Sequence, residues 1–277
     1  HGVEFTLSTR NISTKNFNWT TEFIFSNAKN KVTELKSDAN VMSMISGSGF
    51  ALEGNPVRSL YSLNFQGLNK EGLPTFINDK GELTVTDINF QERENKSHLV
   101  YEGSTDPTIT GSFGNIFSYK GFKLNVFMTY SFGNVIRLDP VFHNAYSDLD
   151  ATPREFKNRW TVAGDEKITT VPFIADLRQK KMNSYLNKAY NAYNYSTERI
   201  AKGDFIRMKE ISVTYEFPKT MVSKLSLSNL SLKVQGTNLF LLYADKKLNG
   251  QDPEFFNSGC VAVPVPKQFT LTLRLGI

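Results

Sequence analysis

The chain has 277 residues, 40% of them apolar and 21% charged, enough for one or two ordinary domains. No stretch approaches the roughly 20 consecutive apolar residues of a spanning helix and the mean hydropathy is −0.33, which argues against a helical membrane protein but not against a β-barrel, whose strands need only every second residue apolar. The formal charge of +5 comes from scattered Lys and Arg with no basic run or nucleic-acid motif, so no nucleic-acid partner is expected; the single cysteine, Cys260, cannot form an internal disulfide.

From His1 onward nothing has the basic-then-apolar form of a signal peptide, so processing or truncation is expected to have removed one. Val3, Phe5 and Leu7 alternate with Glu4, Thr6 and Ser8, and Phe17, Trp19, Phe23 and Phe25 alternate with Asn18, Thr20 and Glu22. This period of two predicts two strands joined by a turn around Thr14–Asn16. A second pair runs from Ile109, Phe113 and Phe117 to a tight turn at Tyr119-Lys120-Gly121. Its return strand sets Phe122, Leu124, Val126, Met128, Tyr130 and Phe132 against Lys123, Asn125, Thr129 and Ser131.

A third pair comprises Asp204–Phe217, with Ile211, Val213 and Tyr215 alternating with Ser212, Thr214 and Glu216, and Leu230–Tyr243, separated by Pro218 and a polar stretch. Arg207 and Lys209 share the parity of its apolar residues and are expected near a membrane edge, where long basic side chains reach water. The last eleven residues place Phe269, Leu271, Leu273, Leu275 and Ile277 on one side and Gln268, Thr270, Thr272, Arg274 and Gly276 on the other, making a seventh strand. The 22 Phe and 11 Tyr suit strands and the interfacial girdles of a barrel, and equally a carbohydrate-binding sandwich.

Short turns follow the first, third and fifth strands, whereas the second, fourth and sixth lead into long segments near 36–106, 134–202 and 244–265. Structureless loops of that length are rare in a compact soluble domain, but outer-membrane barrels combine short periplasmic turns with long extracellular loops. Seven strands do not close such a barrel, because both outer strands would present unpaired backbone to hydrocarbon. The chain is expected to be part of something larger.

The run Asp106-Pro107-Thr108-Ile109-Thr110-Gly111-Ser112-Phe113, followed by Phe117-Ser118-Tyr119-Lys120-Gly121-Phe122-Lys123-Leu124, resembles a hairpin of SusC/RagA-type TonB-dependent outer-membrane transporters. In order, Gly2-Val3-Glu4 with Phe17-Asn18-Trp19, Gly203-Asp204-Phe205-Ile206-Arg207-Met208-Lys209, Gly236-Thr237-Asn238-Leu239-Phe240, Asp252-Pro253-Glu254 and Pro264-Val265-Pro266-Lys267-Gln268-Phe269 are similar to that family's further segments. The resemblance implies that residues 1–277 are the C-terminal third or so of such a protein, about seven antiparallel strands of a roughly 22-stranded transmembrane barrel with long extracellular loops. A plug, a TonB-contact segment and an export signal are missing from the chain, so by itself it is not expected to transport. Ile277 also departs from the terminal Phe usual in such strands. The implied function is TonB-dependent import of glycans, or peptides in some members, with a SusD-like surface lipoprotein over the extracellular mouth, TonB acting through the missing plug portion, and outer-membrane lipid around the wall.

A transporter of this kind recognises its ligand and makes no bonds, so aromatics that stack on sugar rings or peptide side chains, with polar partners, are the candidate site residues. Tyr185, Tyr190, Tyr193 and Tyr195 cluster in one segment and Arg159-Trp160 precedes Gly164-Asp165-Glu166; their alternative role is loop packing. His1, His98 and His143 show no metal spacing, no catalytic motif is present, and no cofactor is expected. Loop carboxylates such as Asp148, Asp150, Asp165 and Glu166 meet the bare requirement of a glycosidase pair, as any acidic loop does. Asn78-Asp79-Lys80-Gly81 suggests a tight turn more than a calcium loop. The alternative function is a soluble all-β glycan-binding module with the same strands turned onto a core.

Overall fold

The computed structural model describes residues 1–36, 38–142, 154–255 and 266–277, which divide into two compact units, one of residues 1–29, 106–134 and 202–277 and the other of residues 30–105 and 135–201. The chain is dominated by antiparallel strands with a few short helices, the all-β class expected from its alternation.

The first unit is one seven-stranded antiparallel sheet. Its strands, in spatial and chain order, are Gly2–Ser13, Phe17–Ala28, Ile109–Tyr119, Phe122–Phe132, Phe205–Glu216, Asn229–Ala244 and Gln268–Gly276. They are the seven that the period of two marks out, with the second running on to Ala28. Between the third and fourth strands Lys120 and Gly121 both take positive φ, 45° and 88°, the two-residue turn whose twist matches that of the flanking strands. Tyr119 and Phe122 pair directly across it. The first turn is closed by Thr14, whose amide and hydroxyl both donate to the Phe17 carbonyl.

Gly111 makes room within the sheet. A β-carbon there would run into the Tyr130 ring and the Ile24 carbonyl, and the Tyr130 hydroxyl uses that space to donate to Ile24 O at 2.8 Å. An aromatic laid over a bare glycine in this way restores the packing that glycine forgoes.

Two of the long connections are not structureless: residues 30–105 and 135–201 form the second unit, with its own core. Strand Ser59–Leu63 pairs with Leu99–Ser104, and Phe65–Leu68, Pro74–Ile77 and Leu83–Thr84 form a small sheet. Helix Val41–Ile45 is capped by Asn40, whose side chain accepts from the Ser43 amide, and helix Leu177–Met182 opens on a reciprocal Asp176–Gln179 capping box. Val41, Ile45, Leu63, Phe76, Ile88, Val141, Phe156 and Tyr193 are all buried in one cluster. They come from segments far apart in sequence with no common period.

Candidate membrane-facing and ligand-facing sites

Register carries side-chain direction across the sheet, since directly paired residues lie on the same face. One continuous row is Leu7, Phe23, Phe113, Met128, Met208 and Phe240. Another, nearer the short turns, is Trp19, Phe117, Leu124, Val213, Val234 and Leu271. These side chains are apolar and many stand open, Val234 at 52% and Leu271 at 70% of full exposure. Aromatics gather toward both ends of this face. Phe17, Tyr119, Phe122 and Tyr215 form the row beside the short turns, with Phe122 and Tyr215 ring centroids 4.4 Å apart, and Phe5, Phe25, Tyr130 and Tyr243 lie toward the other end. One polar group interrupts the face: Trp19 Nε1 at 2.9 Å and Thr21 Oγ1 at 2.8 Å both donate to Asn115 Oδ1.

The opposite face is mainly polar, with Ile24, Phe127 and Leu241 among its apolar members. Arg10, Thr20, Asn125, Ser212, Gln235 and Thr270 share a row broken only by Ile116. Beside it Glu210 accepts from Ser212 Oγ at 2.9 Å and Asn125 Nδ2 at 3.1 Å and lies 3.5 Å from Lys233 Nζ.

The structure corrects the expectation for Arg207. A bulge leaves Lys209 unpaired, since Met208 faces Met128 while Glu210 faces Phe127. The extra residue reverses parity along the strand, so Arg207, opposite Thr129, lies on the polar face. It is buried rather than reaching water, ion-paired to Asp252 and, at 3.1 Å, to Glu254, with its guanidinium 5.6 Å from the Phe205 ring. This cluster escaped sequence reasoning; the irregular parity at Arg207 and the acidic Asp252-Pro253-Glu254 were its only signals.

The six candidate ligand residues lie in the second unit and separate by burial. Tyr193 and Tyr190 are 1% and 3% exposed. Tyr190 stacks on Phe142 at 4.3 Å and donates to Phe173 O at 3.0 Å, while Tyr193 packs edge-on against Phe65 and Phe142; burial pushes the Tyr193 phenol well above its usual range. Trp160 is half-buried against Phe173 and Gly72, where a β-carbon would enter its ring, and its Nε1 donates to Glu166 at 3.2 Å. Tyr195 is half-buried with the Arg137 guanidinium 5.6 Å from its ring. Arg159 and Tyr185 are exposed. Phe173 and Phe142 thus link Trp160, Tyr190 and Tyr193 into one aromatic cluster, whereas Arg159 and Tyr185 stand outside it.

Asp165 and Glu166 tie their own loop. Asp165 Oδ2 accepts from the Thr161 and Val162 amides and the Thr161 hydroxyl, and Glu166 Oε2 from the Gly164 amide and Trp160. For Glu166 its own amide acts first of all, and these donors hold both carboxyls below their ordinary range, the opposite of what a general acid needs. Asn78–Gly81 is a tight turn in which Asn78 Oδ1 accepts from the Lys80 and Glu82 amides. Among the described residues no three His, Cys, Asp or Glu side chains are placed to hold a metal. His143, Asp148, Asp150, Cys260, Pro264 and Val265 lie outside the described residues.

No family model matches the chain. It is 29% identical over 269 residues to TonB-dependent receptor P3 of Formosa agariphila, covering 91% of this chain and 25% of that protein, and 24% identical over 329 residues to TonB-dependent receptor P39 of the same organism, covering 100% and 30%. The chain therefore spans about a quarter of the length of the curated relatives it matches. In fold it is similar to the RagAB peptide transporter, with a TM-score of 0.72 at 21% identity over 99% of this chain and 29% of that one, and to the RagAB peptide importer in its open-open state, with 0.72 at 22% over 100% and 28%. The resemblance carried by the hairpin and loop motifs thus extends along the chain, which is similar in sequence to TonB-dependent receptors and in fold to the RagAB transporter.

Proposed function

We propose that this chain is the C-terminal barrel portion of a TonB-dependent importer in the outer membrane of a Gram-negative bacterium. The observation that carries the reading is the seven-strand register, which collects exposed aromatic and aliphatic side chains on one continuous face and polar ones on the other. An open apolar face across seven strands exceeds what monomeric soluble proteins leave to water, and apolar-out, polar-in alternation with aromatic girdles is the transmembrane-barrel pattern. Strands Gly2–Ser13 and Gln268–Gly276 end the sheet, and further strands of a roughly 22-stranded barrel pair with their free edges.

In this reading the barrel imports an oligosaccharide or a peptide, with a SusD-like lipoprotein over its mouth and TonB acting through a plug. The relatives named as TonB-dependent receptors support import in general, and the fold neighbours described as peptide transporters support keeping a peptide as a ligand class alongside a glycan. Arg159, Trp160, Tyr185 and Tyr195 keep accessible surface and serve as the ligand or lipoprotein contacts, while Tyr190 and Tyr193 support them from the core.

The test is extraction of the native membrane with detergent, followed by intact-mass analysis and binding of glycan and peptide pools. Recovery in an outer-membrane complex of transporter size with a lipoprotein supports the importer. A water-soluble species of 31.3 kDa overturns it in favour of a soluble glycan-binding module.

A further inference from the structure

The two ends of the sheet differ in charge. The three short turns, Thr14–Asn16, Lys120-Gly121 and the segment Phe217–Ser228, carry Lys15, Lys120, Lys219 and Lys224 and not one Asp or Glu. All four lysines are exposed. The nearest acidic residue in sequence, Glu216, pairs with Ser231 on the polar face. At the opposite end of the strands the signs are mixed, with Asp106, Asp204 and Asp245 beside Lys29, Lys202 and Lys246.

Immediately inside the lysines, on the apolar face, runs the row of Phe17, Tyr119, Phe122 and Tyr215. The Lys120 ammonium lies 5.2 Å from the Tyr119 ring centroid, so a cation and the aromatic row meet directly. The third turn adds a short helix, Lys219–Val222, that buries Val222 and leaves Met221 48% exposed. Aromatic rings at the edge of an apolar band, topped by exposed lysines, match the depth profile of a lipid headgroup layer.

We propose that the short-turn end of the sheet is a binding rim for anionic phospholipid headgroups, with Lys15, Lys120, Lys219 and Lys224 on the phosphates and Tyr119, Phe122 and Met221 at the glycerol and upper acyl level. This rests on the membrane reading above and names the lipid class that the wall selects. Charge complementarity commits the rim to an anionic phospholipid: the four cations have no carboxylate among them in the turns, and each ammonium near a negatively charged surface gains from it.

The test uses the full-length receptor that contains this chain, purified from its outer membrane in mild detergent and then reconstituted into vesicles of phosphatidylethanolamine with one quarter phosphatidylglycerol, with bound lipid read by native mass spectrometry. The wild type is expected to retain phosphatidylglycerol at least threefold above its share in the vesicle, and the variant Lys15→Gln/Lys120→Gln/Lys219→Gln/Lys224→Gln to lose that enrichment. The control Lys70→Gln/Lys96→Gln/Lys246→Gln/Lys247→Gln, which removes as many charges elsewhere, is expected to keep it. Equal enrichment in the wild type and the turn variant, with both receptors still membrane-embedded, overturns the rim and leaves the barrel reading standing. Equal loss in the two variants also overturns it, because net charge alone then explains retention. A receptor that leaves the membrane fraction without detergent and carries no lipid overturns both.

Discussion

Arg207 is ion-paired with Asp252, which lies 45 residues further along the chain. The pair fastens the segment after the sixth strand to the polar face of the fifth. Both side chains are nearly buried, at 6% and 11% exposure, and Glu254 at 39% is the second counter-charge. Removing one partner of a buried pair costs more than the pair contributes, because the remaining charge stays in a poorly solvating site. Asp252→Ala is expected to destabilise this region by about 3 kcal/mol and to open the segment around Pro253 to proteolysis. Glu254→Ala, at the more exposed partner, is expected to do so by less than about 1 kcal/mol. Limited proteolysis of the two variants checks the order, and equal cleavage of both would contradict the pairing.

The bulge that puts Arg207 on the polar face marks where the alternation rule stops being readable. Period two marked out all seven strands because the alternation recurs along them, most fully where Phe122, Leu124, Val126, Met128 and Tyr130 follow one another. A single inserted residue, Lys209, reverses parity; the sequence shows the irregularity, but only the pairing of Met208 with Met128 and of Glu210 with Phe127 locates the bulge. The second unit was illegible for another reason. Its core joins Val41, Leu63, Phe76, Val141 and Tyr193 from elements of four to ten residues and from loops between them, too short and irregular for any period to register. The tyrosine cluster was visible in sequence as a cluster, but which rings face inward depends on the packing of helix Tyr185–Asn194, where Tyr190 and Tyr193 are buried and Tyr185 is not.

The apolar face gives a test of orientation. Phe113 sits midway along the third strand and is 36% exposed. In water, Phe113→Arg at so open a position is expected to change stability little, whereas facing lipid near the bilayer midplane it costs about 2–4 kcal/mol. The importer reading predicts the larger loss, seen as a drop in folded receptor in the outer membrane, while Thr214→Arg on the polar face is expected to leave that level near wild type. Equal levels for both variants would argue for a face turned to water.

Tyr130 and Gly111 form a coupled pair. Gly111→Ala pushes a methyl into the Tyr130 ring and the Ile24 carbonyl and is expected to cost about 1–3 kcal/mol by overpacking. Tyr130→Ala loses the ring and its hydrogen bond to Ile24. Because each substitution removes the same contact, the double variant is expected to fall short of the sum of the two single losses by at least about 0.5 kcal/mol. Additive losses in a double-mutant cycle would show that the two sites act separately.

His98 supplies the pH dependence of the second unit. It is 7% exposed and its Nδ1 has no hydrogen-bond partner among the described residues. Burial lowers its pKa below 6.5, with Asp79 and Glu92 partly opposing the shift. The unfolded chain then binds the proton first as pH falls, so stability due to this group is intact above about 6.5 and declines from there down to the lowered folded-state value, below which it levels off. Thermal melts at pH 7.5 and 5.5 are expected to show a smaller difference for His98→Gln than for the wild type.

Tyr185 and Tyr193 lie eight residues apart and separate recognition from packing. Tyr193 is 1% exposed and its ring meets Phe65 and Phe142 edge-on at 5.6 and 5.5 Å. Tyr193→Ala leaves a cavity of aromatic size and is expected to cost about 3–5 kcal/mol, enough to reduce folded receptor and, with it, every ligand-dependent signal together. Tyr185, at 46% exposure on the first turn of the helix, loses little packing when truncated, so Tyr185→Ala is expected to leave melting unchanged. If its ring stacks on the ligand as proposed, affinity falls by several-fold, in line with the roughly 0.5–1.5 kcal/mol of an aromatic contact. Melting and equilibrium binding measured on the same two variants decide the matter: loss of affinity at constant stability in Tyr185→Ala assigns it to recognition, and unchanged affinity removes it from the ligand-contact set.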